Sequence, residues 1–235
     1  MSGHSKWATT KRQKATVDAK RSSLFTKLAK NISVAARDGA DPKANFKLRI
    51  AVDKARAFSM PKENIERAIA KGSGTGEGAR LESVLYEGFG PLGAAIMVEA
   101  VTDNKNRTVS EVKNVFSKHG GNLGGANSVG WMFDLRGIII VTQPTLSDEQ
   151  ELTLIDKGVI DIQPDESGTT IITRLDALPA VKEEAEKLGL TISEASTGYV
   201  AKEKVHPTEE EKILSLLNAL DDLDDVNNVY TNAEL

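Results

Sequence analysis

Large apolar residues recur every three or four positions in the first third of the chain and every second position afterwards, so the period predicts helices first and a mixture of strands and helices later. Leu24, Phe25, Leu28 and Ile32, then Ala35 and Ala36, give one apolar face to a helix over residues 22–37, stopped by Gly39. Asp41-Pro42 reads as the N-cap and first turn of a second helix, lined by Leu48, Ala51, Val52 and Ala55 and ending before Pro61. A third, short helix carries Ile65, Ala68 and Ile69 and finishes at Lys71-Gly72. Residues 6–21 have few large apolar positions beyond Trp7 and Val17 and fit either a helix on this bundle or an extended arm.

Gly72-Ser73-Gly74-Thr75-Gly76-Glu77-Gly78 reads as a flexible linker, because glycine has the most backbone freedom to lose on ordering. Beyond it, strand patterns fall at Ser83–Phe89, Ala94–Thr102, Val129–Leu135, Gly137–Thr142, Ile160–Gln163, Thr169–Arg174, Leu190–Val200 and Val226–Thr231. Helical patterns lie between them at Val109–Lys118, Asp148–Lys157, Leu178–Leu188 and Glu209–Leu223. From Gly137 to Val200 the order is β-α-β-β-α-β, that of a ferredoxin-like sandwich. The last helix and strand then have no sheet of their own, while residues 83–135 form a sheet short of a helix and a strand. An isolated element cannot bury its apolar face, so the two pieces are expected to join. The expected fold class is α+β: an N-terminal helical bundle and two ferredoxin-like α+β domains, one inserted in the other. The domains are 1–78, with the linker; 79–135 with 205–235; and 136–204.

Charge changes the picture more than composition does. The 235 residues have 40% hydrophobic content and a net charge of −4, ordinary values for a packed soluble chain. Residues 1–80, however, hold 18 basic and 7 acidic side chains, a net +11, and the remaining 12 and 27 leave −15. Such asymmetry points to an anionic partner for the basic part. Cysteine is absent, which excludes a disulfide framework, a thiol nucleophile and a cysteine zinc site. The longest apolar runs, near Ala94–Val98 and Ile138–Val141, fall far short of the ~18 residues of a membrane span. The polar, basic start from Met1 to Arg12 lacks the roughly 7–15-residue apolar core of a secretory signal. A cytoplasmic, unprocessed protein without a membrane partner is expected.

No enzyme signature emerges. His4, His119 and His206 are far apart and read as surface histidines, and the nucleophile-elbow, zinc-helix and phosphate-loop motifs are missing. Gly120-Gly121-Asn122-Leu123-Gly124-Gly125 follows a helix pattern and opens none, so it reads as a helix C-cap and wide loop. Asp221-Asp222-Leu223-Asp224-Asp225 lacks calcium-loop spacing and reads as solvated carboxylates at a helix end. Asp103–Arg107 reads as a turn that caps the helix near Thr108. No cofactor, metal or small-molecule substrate is expected.

The strong constellation is the basic N-terminus, where residues 1–37 hold nine Lys and Arg against the single acid Asp18. A patch of this density attracts phosphates by Coulomb energy and counterion release. Trp7 either stacks on an unpaired base or tucks into the bundle. The candidate nucleic-acid-binding residues are His4, Lys6, Trp7, Lys11, Arg12, Lys14, Lys20, Arg21, Lys27 and Lys30. The competing class is a protein-interaction module, with ferredoxin-like domains joining into larger sheets and the basic helices docking on an acidic partner; the acidic α+β domains are in either case a candidate face for a protein partner.

Several long motifs, in order, resemble the YebC/PmpR family: Gly3-His4-Ser5-Lys6-Trp7, Asp18-Ala19-Lys20-Arg21, Met60-Pro61-Lys62-Glu63-Asn64-Ile65, Tyr86-Glu87-Gly88-Phe89-Gly90-Pro91, Thr102-Asp103-Asn104-Lys105-Asn106-Arg107 and Ala219-Leu220-Asp221-Asp222. The resemblance implies a three-domain cytosolic protein that regulates gene expression without catalysis. Members are described as DNA-binding transcriptional regulators. Others, including the mitochondrial translational activator of cytochrome oxidase, act in translation, where the implied partner is ribosomal or transfer RNA at ribosomes stalled on proline-rich stretches. The chain departs from the commoner pattern at Thr9–Gln13, which keeps its charge, and at Tyr199–Ala201.

Overall fold

The computed structural model describes residues 18–75 and 81–235, with side chains from Ser22 onward. The first region is three helices: α1 (Asp18–Ala35, extended by a 3-10 turn to Asp38), α2 (Phe46–Ala57) and α3 (Lys62–Gly72). Their apolar faces close on one another through Leu28, Ile32, Leu48, Val52, Ile65 and Ala68, all buried. The N-cap of α2 is Asn45, displaced from the expected Asp41-Pro42, which instead forms a turn. Asn45 is the better cap because its amide serves two helices. Its oxygen accepts from Leu48 N at 3.1 Å, and its nitrogen donates to Ala35 O at 2.7 Å and Gly39 O at 2.8 Å.

The rest forms two four-stranded antiparallel sheets, each with two helices on one face. The elements are β1 (Glu82–Phe89), β2 (Ala95–Thr102), α4 (Lys105–Lys118), β3 (Asn122–Leu123), β4 (Phe133–Val141), α5 (Asp148–Asp156), β5 (Val159–Asp165), β6 (Gly168–Thr173), α6 (Leu178–Lys187), β7 (Ile192–Ala201), α7 (Glu210–Asp221) and β8 (Val226–Thr231). The first sheet has the order β3-β1-β2-β8, so the C-terminal strand pairs with β2 across more than a hundred residues of intervening chain. Phe116, Ile213, Leu216 and Leu217 of α4 and α7 seal it against Ile96 and Val98. The second has the order β5-β6-β4-β7, the ferredoxin-like arrangement of a β-α-β-β-α-β unit, with Leu154, Leu178 and Val181 over Ile139 and Ile171.

Two details differ from the pattern-based expectation. The strands expected at Val129–Leu135 and Gly137–Thr142 are one, β4, preceded by a 3-10 turn at Gly130–Met132. The division expected between residues 135 and 136 therefore falls inside a strand. Gly137 suggests a break in the sequence, but in the fold it permits close packing: a Cβ there would lie 2.4 Å from Thr173 Oγ1 and 2.8 Å from Leu178 Cβ. The remaining strand of the first sheet is the two-residue β3, drawn from the glycine run that reads as loop.

Gly72 has a similar role at the junction of α3 and α1. A Cβ there would sit 2.1 Å from Ser33 O, and Ser33 Oγ donates to Ala68 O at 2.8 Å, so the two helices touch backbone to backbone. In an open helix Gly→Ala stabilises by roughly 1 kcal/mol. Here Gly72→Ala is expected to reverse that sign and destabilise by about 1–3 kcal/mol through overpacking, read as a lower melting temperature.

Candidate nucleic-acid interface

Six of the residues expected to contact nucleic acid, His4, Lys6, Trp7, Lys11, Arg12 and Lys14, lie outside the described residues. Lys20 and Arg21 belong to the first turn of α1. Lys27 and Lys30, three apart and hence on one face of α1, turn toward the body of the protein. Lys27 Nζ donates to the backbone oxygen of Asp221 and lies 3.8 Å from its carboxylate. Lys30 Nζ donates to Asp224 O at 2.9 Å and to Asp225 Oδ1 at 2.6 Å. Asn31 extends this line of contacts, accepting from Asn227 Nδ2 at 2.5 Å.

The acidic run 221–225 is therefore not simply solvated, as its sequence suggests. Asp225 is 4% exposed. While Lys30 holds Oδ1, Oδ2 accepts from Arg107 Nη2 at 2.7 Å, with the hydroxyls of Thr108 and Thr102 at 2.8 and 3.1 Å. Its backbone oxygen accepts from Val101 N at 2.8 Å. Burial alone would raise this carboxyl's pKa, but the donors from Lys30, Arg107 and Thr108 hold it far below the usual carboxylate range. One side chain thus ties α1 to β2, α4 and the start of β8. The motif Asp103–Thr108 supplies the other half: Asn104 Oδ1 caps α4 by accepting from Arg107 N at 3.1 Å, and Asp103 accepts from Arg107 Nη2 at 3.0 Å.

Between α1, α3 and the head of α4 this arrangement leaves a cleft of ≈ 500 Å³. Lys30, Arg67, Lys71 and Arg107 line it alongside Asp103 and Asp225. Arg67 and Lys71 are not among the residues that the sequence marks for nucleic acid. Spacings of three and four place Asn64, Arg67 and Lys71 on one side of α3, beside its buried stripe of Ile65 and Ala68. That positional pattern is the one signal the sequence offers, but it resembles any solvated helix face until α4 is seen opposite. Among the described residues, neither Arg67 nor Lys71 lies within ion-pair distance of a carboxylate.

Two other features are structural in character. Glu87, buried on β1, accepts from the backbone N–H of Asn127, Val129 and Gly130 at 3.0, 2.9 and 2.6 Å. Burial would raise its pKa, but these three donors hold it below the ordinary value, and the loop before β4 is ordered around it. His119 pairs with Ser215 at 3.1 Å and His206 with Glu234 at 3.1 Å. Among the described residues no group of three or more His, Asp or Glu is placed to hold a metal ion, and no helix is long and apolar enough to cross a membrane.

Asp225 sets a pH dependence whose sign is fixed. Its folded pKa is depressed, so its stabilisation is complete above the unfolded value of about 3.9 and is lost as pH falls below that. Asp225→Asn is expected to cost about 1–3 kcal/mol at neutral pH, chiefly by leaving the mostly buried Lys30 without its carboxylate, while Arg107 keeps Asp103. Chemical denaturation at several pH values should show the gap between variant and natural protein narrowing below about pH 4; a gap independent of pH would exclude the carboxylate as the cause.

Comparison with known proteins accords with this geometry. Residues 5–75 match the family model described as the TACO1/YebC protein N-terminal domain, and residues 81–233 match that of the TACO1/YebC second and third domain. A probable transcriptional regulatory protein of Thermoanaerobacter pseudethanolicus is 50% identical, covering 100% of this chain and 98% of the relative. Another so named, from Caldanaerobacter subterraneus subsp. tengcongensis, is 48% identical, covering 100% and 99%. The crystal structure of a conserved hypothetical protein from Aquifex aeolicus superposes with a TM-score of 0.85 at 46% identity, covering 94% of this chain and 93% of that one. With family models spanning nearly its whole length and relatives of this identity, the chain belongs to the TACO1/YebC family.

Proposed function

We propose that this protein is a non-enzymatic, cytoplasmic nucleic-acid-binding regulator of gene expression. It works as three units: the basic region 1–78, a discontinuous unit built on the first sheet that runs to Met132 and resumes at Lys202, and the inserted unit of the second sheet, Phe133–Ala201. The observation that carries the reading is the segregation of +11 into residues 1–80, against −15 elsewhere. Folding neutralises part of that charge internally, through Lys27 and Lys30, and leaves Arg67 and Lys71 in a cleft without acidic partners among the described residues. The name given to the relatives, probable transcriptional regulatory protein, supports a regulatory role and puts transcription first.

One observation favours RNA, and with it translation, as the second reading. A recognition helix must be a convex ridge to enter a major groove. The uncompensated cations of α3 line a concavity instead, which suits structured RNA with exposed, unpaired nucleotides.

Binding of the full chain to labelled DNA and RNA should weaken steeply with salt, since each neutralised phosphate releases counterions; an affinity indifferent to salt would sink the proposal. Lys6→Glu combined with Lys11→Glu and Arg12→Glu should reduce affinity by about tenfold or more while the melting temperature stays nearly unchanged. An equal loss of stability would instead place those side chains in the internal structure. Cross-linking in cells separates the two readings, by recovering promoter DNA or ribosomal and transfer RNA.

A further inference from the structure

The charges in the cleft between α1, α3 and α4 do not cancel. Four cations, Lys30, Arg67, Lys71 and Arg107, face two carboxylates, Asp103 and Asp225. Both carboxylates are already engaged, Asp225 by Lys30 and Arg107 and Asp103 by Arg107. The surplus is Arg67 and Lys71, one turn apart on α3. Uncompensated charge in a concave site focuses the field and concentrates anions there. The walls are fixed before any ligand arrives: α3 is pressed on α1 at Gly72 and Ser33, and Arg107 is clamped by its two acids.

Three properties narrow the anion. A guanidinium fork matches phosphate oxygens in bidentate fashion, and a nearby ammonium adds a point charge. Asn64 brings an amide, donor and acceptor at once, suited to a base edge or a sugar hydroxyl. Phe25 and Ala29, both half-buried, add apolar surface against which a flat ring loses water. An inorganic phosphate would use the cations and nothing else. The volume of ≈ 500 Å³ lies within the range of about 300–1,000 Å³ usual for small-ligand sites. A paired base stays stacked inside its helix and cannot enter such a cleft, whereas a splayed one can.

The geometry points to a pocket for one unpaired nucleotide, with phosphate on Arg67 and Lys71, Asn64 on a polar edge and the base over Phe25 and Ala29. The inference rests on the nucleic-acid reading above, the nucleotide being one residue of the bound strand. A free nucleoside monophosphate offers the same chemistry, so both sources are tested.

The test uses the full chain, a labelled single-stranded RNA containing 4-thiouridine, a duplex of the same length, and uridine monophosphate. Arg67→Ala with Lys71→Ala is expected to weaken single-strand binding about tenfold and to reduce the salt slope by about 0.7 for each phosphate no longer neutralised. Duplex binding should change less than twofold, and the melting temperature should hold because Arg67 is exposed and Lys71 half-buried. Photo-cross-links to the natural protein should map to the peptide carrying residues 62–72, a readout that a merely structural role would not move. If the variant binds the single strand normally and cross-links fall elsewhere, the strand is not the occupant. Calorimetric uptake of uridine monophosphate by the natural protein alone would then assign the pocket to free nucleotide, and no uptake would overturn the pocket. In either case the broader reading survives so long as the Lys6, Lys11 and Arg12 variant loses binding. If the natural protein binds no nucleic acid of any kind, both fall.

Discussion

A carboxylate taken out of water must be fully satisfied or it unfolds what surrounds it. Asp225 meets that condition by drawing donors from α1, β2 and α4 at once, and much else follows. The orientation of the helical region relative to the first sheet is fixed by charge-assisted hydrogen bonds of defined direction, not by apolar contact alone, which would permit sliding. The cleft exists because Lys30 and Arg107 converge on one acid and hold α1 and α4 at a set separation. As a result Lys30, with Lys27 beside it on Asp221, is withdrawn from the surface of the basic region.

The basic region therefore has two populations of positive charge. Lys27 and Lys30 act inward, as anchors on the C-terminal acidic run. Arg67 and Lys71 line the cleft with no carboxylate at ion-pair distance among the described residues. The net count of +11 treats these alike, yet only the second kind adds to the field that an approaching phosphate meets. The acidic excess in the rest of the chain is likewise partly an internal counter-charge for α1.

Much of the architecture is legible in the sequence because it depends on period. The helical stripe through Leu28 and Ile32, the near-continuous apolar run of β2 and the β-α-β-β-α-β order of the inserted unit each follow from where apolar side chains must point. The pairing of β8 with β2 is accessible through the need of an orphan strand for a sheet. What escapes the sequence depends on tertiary proximity. Gly137 looks like a strand breaker until Leu178 is seen against it, and Asn45 outdoes Asp41 as a cap only because a neighbouring helix end lies within reach. The same holds for the site. Basic density near the N-terminus is visible in one dimension, whereas the burial of Asp225 and the surplus of Arg67 and Lys71 appear only when α3 and α4 stand face to face.

The second sheet is joined covalently to the first at one place in the fold. Its first strand begins and its last strand ends side by side, with Phe133 registered opposite Ala201 and Lys202 N donating to Met132 O at 2.9 Å. For the first sheet, everything between Met132 and Lys202 is topologically a single long turn. The covalent neck is narrow, but the inserted unit is also braced from outside: Lys54 lies 2.9 Å from Glu194, Lys182 3.5 Å from Asp53, and Tyr199 meets Tyr230 edge-on at 5.5 Å, so a force on it spreads to the helical region and the first sheet by several routes.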